Sequence, residues 1–158
     1  MNMENKFELT DNFIINAFGV KLFQIKCTKS FKYAKEGDLG GYVEKDENLD
    51  QESDAWVSGD AWVYGDAQVS GNAQVYGDAE IDNNNKHCGF DCFGSANRHT
   101  HAYLTKENKV EITCGCFHGS IEEFEKRVEE IHSDTIYEKQ YKAIIDVIKI
   151  KFGLTDLI

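Results

Sequence analysis

The chain has 158 residues, 41% of them hydrophobic and 12% aromatic, enough apolar material to bury a core and to exclude wholesale disorder. Its formal net charge of −11 excludes a general nucleic-acid binder, because neutralising phosphates needs basic surface. No run approaches the roughly 20 apolar residues of a membrane-spanning helix, and "MNMENKFELTDNFIINAFG" lacks the layout of a secretory signal, so a cytosolic location is expected.

The acidity is uneven. Residues 1–82 carry 7 basic and 16 acidic side chains, and residues 119–158 carry 6 and 9. Residues 83–118 instead set Lys86, Arg98, Lys106 and Lys109 against Asp91, Glu107 and Glu111, and hold four of the five histidines. An anion received by this chain is expected there. Five cysteines is an odd number, and in a cytosolic setting they read as free thiols or metal ligands rather than a disulfide framework.

In chain order, residues 1–41 read as an N-terminal β cap. Within it, "VKLFQIKCTKSF" places Val20 and Leu22 on one strand face and Phe23, Ile25 and Cys27 on the other, a strand covered on both sides. "KEGDLGGYV" follows as a glycine turn. Residues 42–82 then settle into a six-residue period: Val57, Val63, Val69, Val75 and Ile81, each preceded two positions earlier by Ala55, Ala61, Ala67, Ala73 or Ala79. Gly-Asp or Gly-Asn stands before most of those alanines, where positive φ is tolerated at a turn.

That period predicts a short left-handed β-helix of hexapeptide repeats, with about 18 residues per triangular coil and the β-branched positions inward. Antiparallel hairpins and a right-handed solenoid compete, although hairpins prefer longer strands than the spacing allows. With the lead-in "GGYVEKDENLDQES" the repeat makes little more than two coils, so flanks or further copies must cap it. Stacking at 18 residues places Trp56 beside Gln74. Trp56, Trp62, Tyr64 and Tyr76 occupy non-core positions, where aromatics favour interfaces, and a homodimer or homotrimer through them is expected.

Residues 83–158 read as an αβ domain. The Asp/Asn run of "DNNNKHCGFDCFGSANRHTH" breaks the period as a loop, and "THAYLT" with "KVEITCGCF" forms a β-hairpin. Ser120 and Glu123 make a capping box for a helix with the stripe Ile121, Phe124, Val128 and Ile131. Ser133-Asp134 starts a second helix carrying Tyr137, Tyr141, Ile144, Ile145, Ile148 and Phe152, and Gly153 ends it. The expected fold is therefore mainly β with a C-terminal α/β part: a β-helix flanked by N-terminal β structure and a hairpin plus two helices.

"GDLGGYVEKDENL", hexads of this composition and "CGCFHGSIEEFEKRV" together resemble a group of small bacteriophage and prophage proteins described as hexapeptide-repeat or polymer-forming-cytoskeletal-like. The resemblance runs from about Val20 to Phe152 and is most specific over Gly37–Val43 and Cys114–Val128. It implies a phage accessory protein acting in the host bacterial cytoplasm, and it carries over no catalytic residue.

The candidate chemistry concentrates in "GSANRHTH". Arg98 forks onto phosphate, Thr100, His99 and His101 donate further hydrogen bonds, and Ser95 and Asn97 suit ribose or base edges. A phosphate would raise the pKa of His99 and His101 and strengthen binding near pH 6. Zinc is the weaker expectation: Cys88, Cys92, Cys114 and Cys116 are the candidate ligands, without paired CxxC spacing, so no cofactor is expected beyond a structural zinc. An acyltransferase is disfavoured because the repeat contains no histidine, and a Cys-His nucleophile lacks a supporting acid. The expected function is non-catalytic antagonism of host defence by sequestering a nucleotide-derived signal. The alternative is an acidic inhibitor or structural protein that binds a host defence protein directly, as a nucleic-acid mimic. Neither reading involves a membrane.

Overall fold

The computed structural model describes residues 5–154, which fall into two compact units meeting between Asn85 and Lys86. The first unit is all β. A long hairpin, β1 (Phe7–Ile15) and β2 (Lys21–Cys27), pairs antiparallel with β3 (Leu39–Val43). Leu22 is buried from one face of β2 and Ile25 and Cys27 from the other, as their alternation requires.

Four two-residue strands follow: β4 (Trp56–Val57), β5 (Trp62–Val63), β6 (Gln74–Val75) and β7 (Glu80–Ile81). β3, β5 and β7 pair in parallel, as do β4 and β6, and a bridge joins Leu49 to Val69. The partners Trp56–Gln74 and Trp62–Glu80 lie 18 residues apart, the expected stacking distance. Tyr42–Trp62 and Leu49–Val69 lie 20 apart, so the lead-in carries two extra residues per return. Asn48 lies in that irregular stretch. It is wholly buried, donating to the carbonyls of Gly65 and Ala67 while its own side-chain oxygen accepts from Lys45 N–H. A buried amide that satisfies both ends is tolerated where one that did not would cost several hydrogen bonds.

The alanine and valine/isoleucine positions of the period, from Ala55 to Ile81, are all at most 1% exposed. The N-terminal strands are continuous with this set through β3 rather than forming a separate layer, because β1-β2-β3-β5-β7 is one sheet.

The second unit is a four-stranded antiparallel sheet in the order β11-β10-β9-β8, made of β8 (His87–Phe93), β9 (Arg98–Leu104), β10 (Val110–Cys114) and β11 (Phe117–Ser120). Helices α1 (Ile121–His132) and α2 (Ile136–Lys151) pack on one face of it. The expected hairpin is thus the centre of a wider sheet, flanked by β8 and β11. The shared core joins Ala102, Val110, Ile112 and Cys114 of the sheet to Ile121, Phe124 and Val128 of α1 and Tyr141, Ile144, Ile145 and Ile148 of α2.

The capping box is present: Ser120 Oγ accepts from Glu123 N–H, and the Glu123 carboxylate accepts from Ser120 N–H. Two details differ from expectation. Ile131 is 61% exposed, since only the first two turns of α1 bury apolar side chains against the sheet. The cap of α2 is Thr135, whose hydroxyl accepts from Glu138 N–H; Asp134 sits at φ 61° and belongs to the turn. Gly153, at φ 70°, ends α2 by donating to Ile150 O while Leu154 donates to Lys149 O. The protein is mainly β with two C-terminal helices, and no helix among the described residues is long and apolar enough to cross a membrane.

Candidate functional site

Strand alternation divides the candidate residues of "GSANRHTH" between the two faces of the second unit's sheet. Arg98 and Thr100 fall on the side of the helices; His99 and His101 fall on the other. Ser95 and Asn97 stay exposed in the turn between β8 and β9. That turn is held to α2. Gly94 N–H donates to Gln140 Oε1, and the Tyr141 hydroxyl reaches Phe93 O at 3.5 Å. Gly94 has φ 80°, and a Cβ there would lie 2.0 Å from the Tyr141 hydroxyl oxygen. Only glycine lets the turn approach that closely.

On the helix side, Arg98 lines a small cavity of about 70 Å³ together with Cys116, Phe117, Arg127, Ile131, His132 and Tyr141. Cys114 closes its floor, with Thr100 Oγ1 donating to Cys114 Sγ at 3.3 Å and the Tyr141 hydroxyl 3.8 Å from the same sulfur. Phe117 and Phe124 meet at a tilt of 47° with centroids 5.2 Å apart, Phe124 meets Tyr141 edge-on at 5.5 Å, and His132 lies against Tyr141 at 5.6 Å. The Arg127 guanidinium sits 5.6 Å from the Phe117 ring centre, so an aromatic face holds the second cation of the cavity. Burial pushes the Tyr141 hydroxyl up to about 12, with the Cys114 sulfur adding to the shift and Arg98 opposing it. Tyr141 is therefore a hydrogen-bond donor at neutral pH.

Gly115 explains the middle letter of "CGC". It turns at φ 59°, and a Cβ would meet Arg98 Nη1 at 2.7 Å and Cδ at 2.9 Å. The arginine lies along the turn joining β10 and β11, which fixes a long side chain that otherwise loses much entropy on binding. Two guanidiniums, an imidazole and a phenol around a 70 Å³ space suit one anionic group and little more, since a water alone takes about 30 Å³.

The other sheet face carries a hydrogen-bonded histidine chain. His99 Nδ1 is 2.6 Å from Asp91 Oδ1, His99 Nε2 is 2.9 Å from His101 Nδ1, and His101 Nε2 is 2.9 Å from His87 Nδ1. A proton on Nδ1 of each ring satisfies every one of these contacts in order toward Asp91. Gly89 leaves room for them: a Cβ there would stand 2.5 Å from His99 Cε1 and 2.7 Å from His101 Nδ1. Burial pulls His101 well below its ordinary value, with His87 and His99 adding to it, and burial pulls His87 down to about 4. His101 thus has both ring nitrogens committed and stays neutral. The expectation that His99 and His101 stand beside Arg98 is corrected by the side of the sheet they occupy, and burial in addition keeps His101 from adding charge.

The cysteines do not converge. Cys114 is buried in the cavity floor, and Cys88 packs against the core with its thiol pushed up by burial. Cys92 and Cys116 are exposed. No group of three or more His, Cys, Asp or Glu side chains among the described residues is arranged to hold a metal ion. Of the aromatics expected at an interface, Trp56 is buried edge-on against Phe31 at 5.3 Å, and Tyr64 is buried with its hydroxyl on Glu80 at 2.7 Å. Both side chains are consumed within their own chain. Trp62 is half-buried, and Tyr76 is 46% exposed.

A larger cleft of about 700 Å³ opens in the first unit beside Lys6, Phe31 and Gln51. Its cation is already committed, because Lys6 Nζ donates to the carbonyls of Ser53 and Ala55 and lies 4.9 Å over Phe31. Burial draws Lys6 down to about 8, against the pull of Asp50 and Asp54. The smaller cavity, which two arginines line, is the better candidate for a ligand.

Arg127, His132 and Tyr141 are the site residues that sequence reasoning missed. They come from two helices 29 to 43 positions beyond Arg98, and each sits inside a pattern that reads as ordinary helix. No protein-family model matches the chain, and a search of curated proteins finds no match either.

Proposed function

We propose that the protein is a non-catalytic phage accessory factor that antagonises host antiviral defence by sequestering a nucleotide-derived signal, with a phosphate of that signal seated between Arg98 and Arg127. The observation that supports this reading is the cavity itself. Two arginines from different elements, a phenol held protonated and a half-buried imidazole surround a space of phosphate dimensions. The remainder of a nucleotide would lie outside it, near the exposed Ser95 and Asn97 and the ring of Phe117.

In the same reading, residues 42–82 form a short left-handed β-helix. The 18-residue parallel register and the buried alanine and valine ladders support the coil. The chain works as a homo-oligomer in the host bacterial cytoplasm, without a metal cofactor.

A second reading follows from the charge of the first unit. Sixteen acidic against seven basic side chains in residues 1–82 suit an inhibitor that presents an acidic face to a host protein, as a nucleic-acid mimic does. Titration calorimetry of the wild type against cyclic oligonucleotides and adenosine-diphosphate-ribose derivatives separates the two. Binding of one of them with loss in Arg98→Ala supports sequestration. Absence of binding across the panel gives way to the protein-partner reading.

A further inference from the structure

The cavity that Arg98 and Arg127 line is graded from a buried floor to an exposed rim. Cys114, Phe124, Val128 and Tyr141 are at most 6% exposed, whereas Arg98, Cys116, Arg127 and Ile131 are exposed. A group that enters therefore passes the rim and ends against the floor, in a space of about 70 Å³.

The charge of the cavity is one-sided. None of its ten lining residues is acidic, in a chain with 28 aspartates and glutamates. Among the described residues, no carboxylate forms an ion pair with either arginine. Arg98 lies along the Gly115 turn instead, and Arg127 over the Phe117 ring. Two guanidiniums without a counter-charge attract a doubly charged group more strongly than a singly charged one.

The floor holds a second, independent sign of a missing acceptor. Tyr141 is 5% exposed and its hydroxyl is held protonated, yet Phe93 O lies 3.5 Å from it and the Cys114 sulfur 3.8 Å. Hydrogen bonds between oxygens are ordinarily about 2.7–2.8 Å long, and sulfur is a weak acceptor. The chain thus engages this buried donor poorly, which costs stability that a ligand oxygen at the floor restores.

We infer that the cavity takes a terminal phosphate monoester, so that the sequestered signal is a linear nucleotide derivative with a free phosphate end. This rests on the sequestration reading and narrows it, because every phosphate of a cyclic oligonucleotide is a diester. A monoester carries a charge of about −1.5 to −2 near neutral pH and offers three strong acceptor oxygens. A single bond then leads back past the rim, toward Ser95 and Asn97. A diester carries one charge and must send the chain away in two directions, which a closed floor opposes.

Titration calorimetry of the wild type against two matched pairs tests it: adenosine monophosphate with its methyl ester, and a linear diadenylate bearing a terminal phosphate with cyclic diadenylate. The monoester of each pair is expected to bind at least roughly tenfold more tightly than the diester, the step for one charged hydrogen bond. Arg98→Ala and Arg127→Ala should each narrow that gap. A diester that binds as tightly as its monoester overturns the inference, and so does a preference that both variants keep in full. A cyclic oligonucleotide or adenosine-diphosphate-ribose that binds where neither monoester does also overturns it, while leaving sequestration standing. Absence of binding by all of these ligands removes sequestration and the monoester with it. The pairs are compared on the wild type, so the outcome does not depend on how either variant folds.

Discussion

Acidification should destabilise the second unit before it affects the carboxylates, and the histidine chain sets the size of the effect. His87 is held near 4 in the folded protein by burial, with Lys151 adding to the shift, against an ordinary value of 6.5 when unfolded. A base with a lowered folded pKa binds its proton more readily in the unfolded chain. Stability is therefore complete above about pH 6.5 and falls as pH drops from there toward 4. The shift corresponds to about 3 kcal/mol in full, of which about 2 kcal/mol is lost by pH 5. His101, lowered by burial within the same chain, acts in the same direction. Both α-helices lie in the second unit, so urea unfolding followed by the helical circular-dichroism signal reports on it selectively. Midpoints at pH 7.5 and pH 5.0 should differ by at least the His87 share. His87→Gln keeps a hydrogen-bonding side chain toward His101 without the titration, and should flatten the profile by about 2 kcal/mol. A wild-type midpoint that is level across this interval, or a His87→Gln profile that superimposes on it, would refute the description of His87 and His101 as buried and neutral.

Two substitutions test the packing that positions the cavity and the repeat. Gly94→Ala places a Cβ on the Tyr141 hydroxyl in a backbone of positive φ, so a loss of about 2 kcal/mol or more is expected in thermal unfolding; a wild-type midpoint would show that the turn moves freely off α2. Val69→Asp puts a carboxylate at a position 1% exposed, with an expected cost of several kcal/mol. Loss of soluble protein or of the cooperative transition is the outcome to look for, and an unaltered first unit would mean that the ladder residues do not share one interior.

The repeat was legible because its information is local. Each valine and alanine position is set by the same six residues, and all of them are buried where the period places them. Ser120 with Glu123, and Gly153, were legible for the same reason: a cap depends on three or four neighbouring residues. β8 was not, because Gly89 and Asp91 interrupt its apolar pattern and the Asn run before it reads as loop. Gly89 is nevertheless required there, by the two imidazoles it faces. The site was half legible. Arg98 stood out as the one arginine among the four cations of the least acidic segment, while strand alternation sets His99 and His101 together on one face. The same alternation puts Arg98 and Thr100 on the other side, so a contiguous run of polar letters was two clusters rather than one. Arg127, His132 and Tyr141 reach the cavity only because α1 and α2 fold back over β9 and β10. No local pattern encodes that return.

The division of the candidate residues between two sheet faces is the claim on which the site stands, and a parallel titration of three variants tests it most directly. The ligand is whichever cyclic oligonucleotide or adenosine-diphosphate-ribose derivative the wild type binds, with pyrophosphate as the minimal anion. Arg98→Ala and Arg127→Ala should each weaken binding roughly 10- to 150-fold, the loss of about 1.5–3 kcal/mol expected for a charged hydrogen-bonding partner. His99→Ala should bind as the wild type does, because its ring lies in the chain between Asp91 and His101. Loss of binding in His99→Ala together with wild-type affinity in Arg127→Ala would contradict the account and place the ligand on the histidine face.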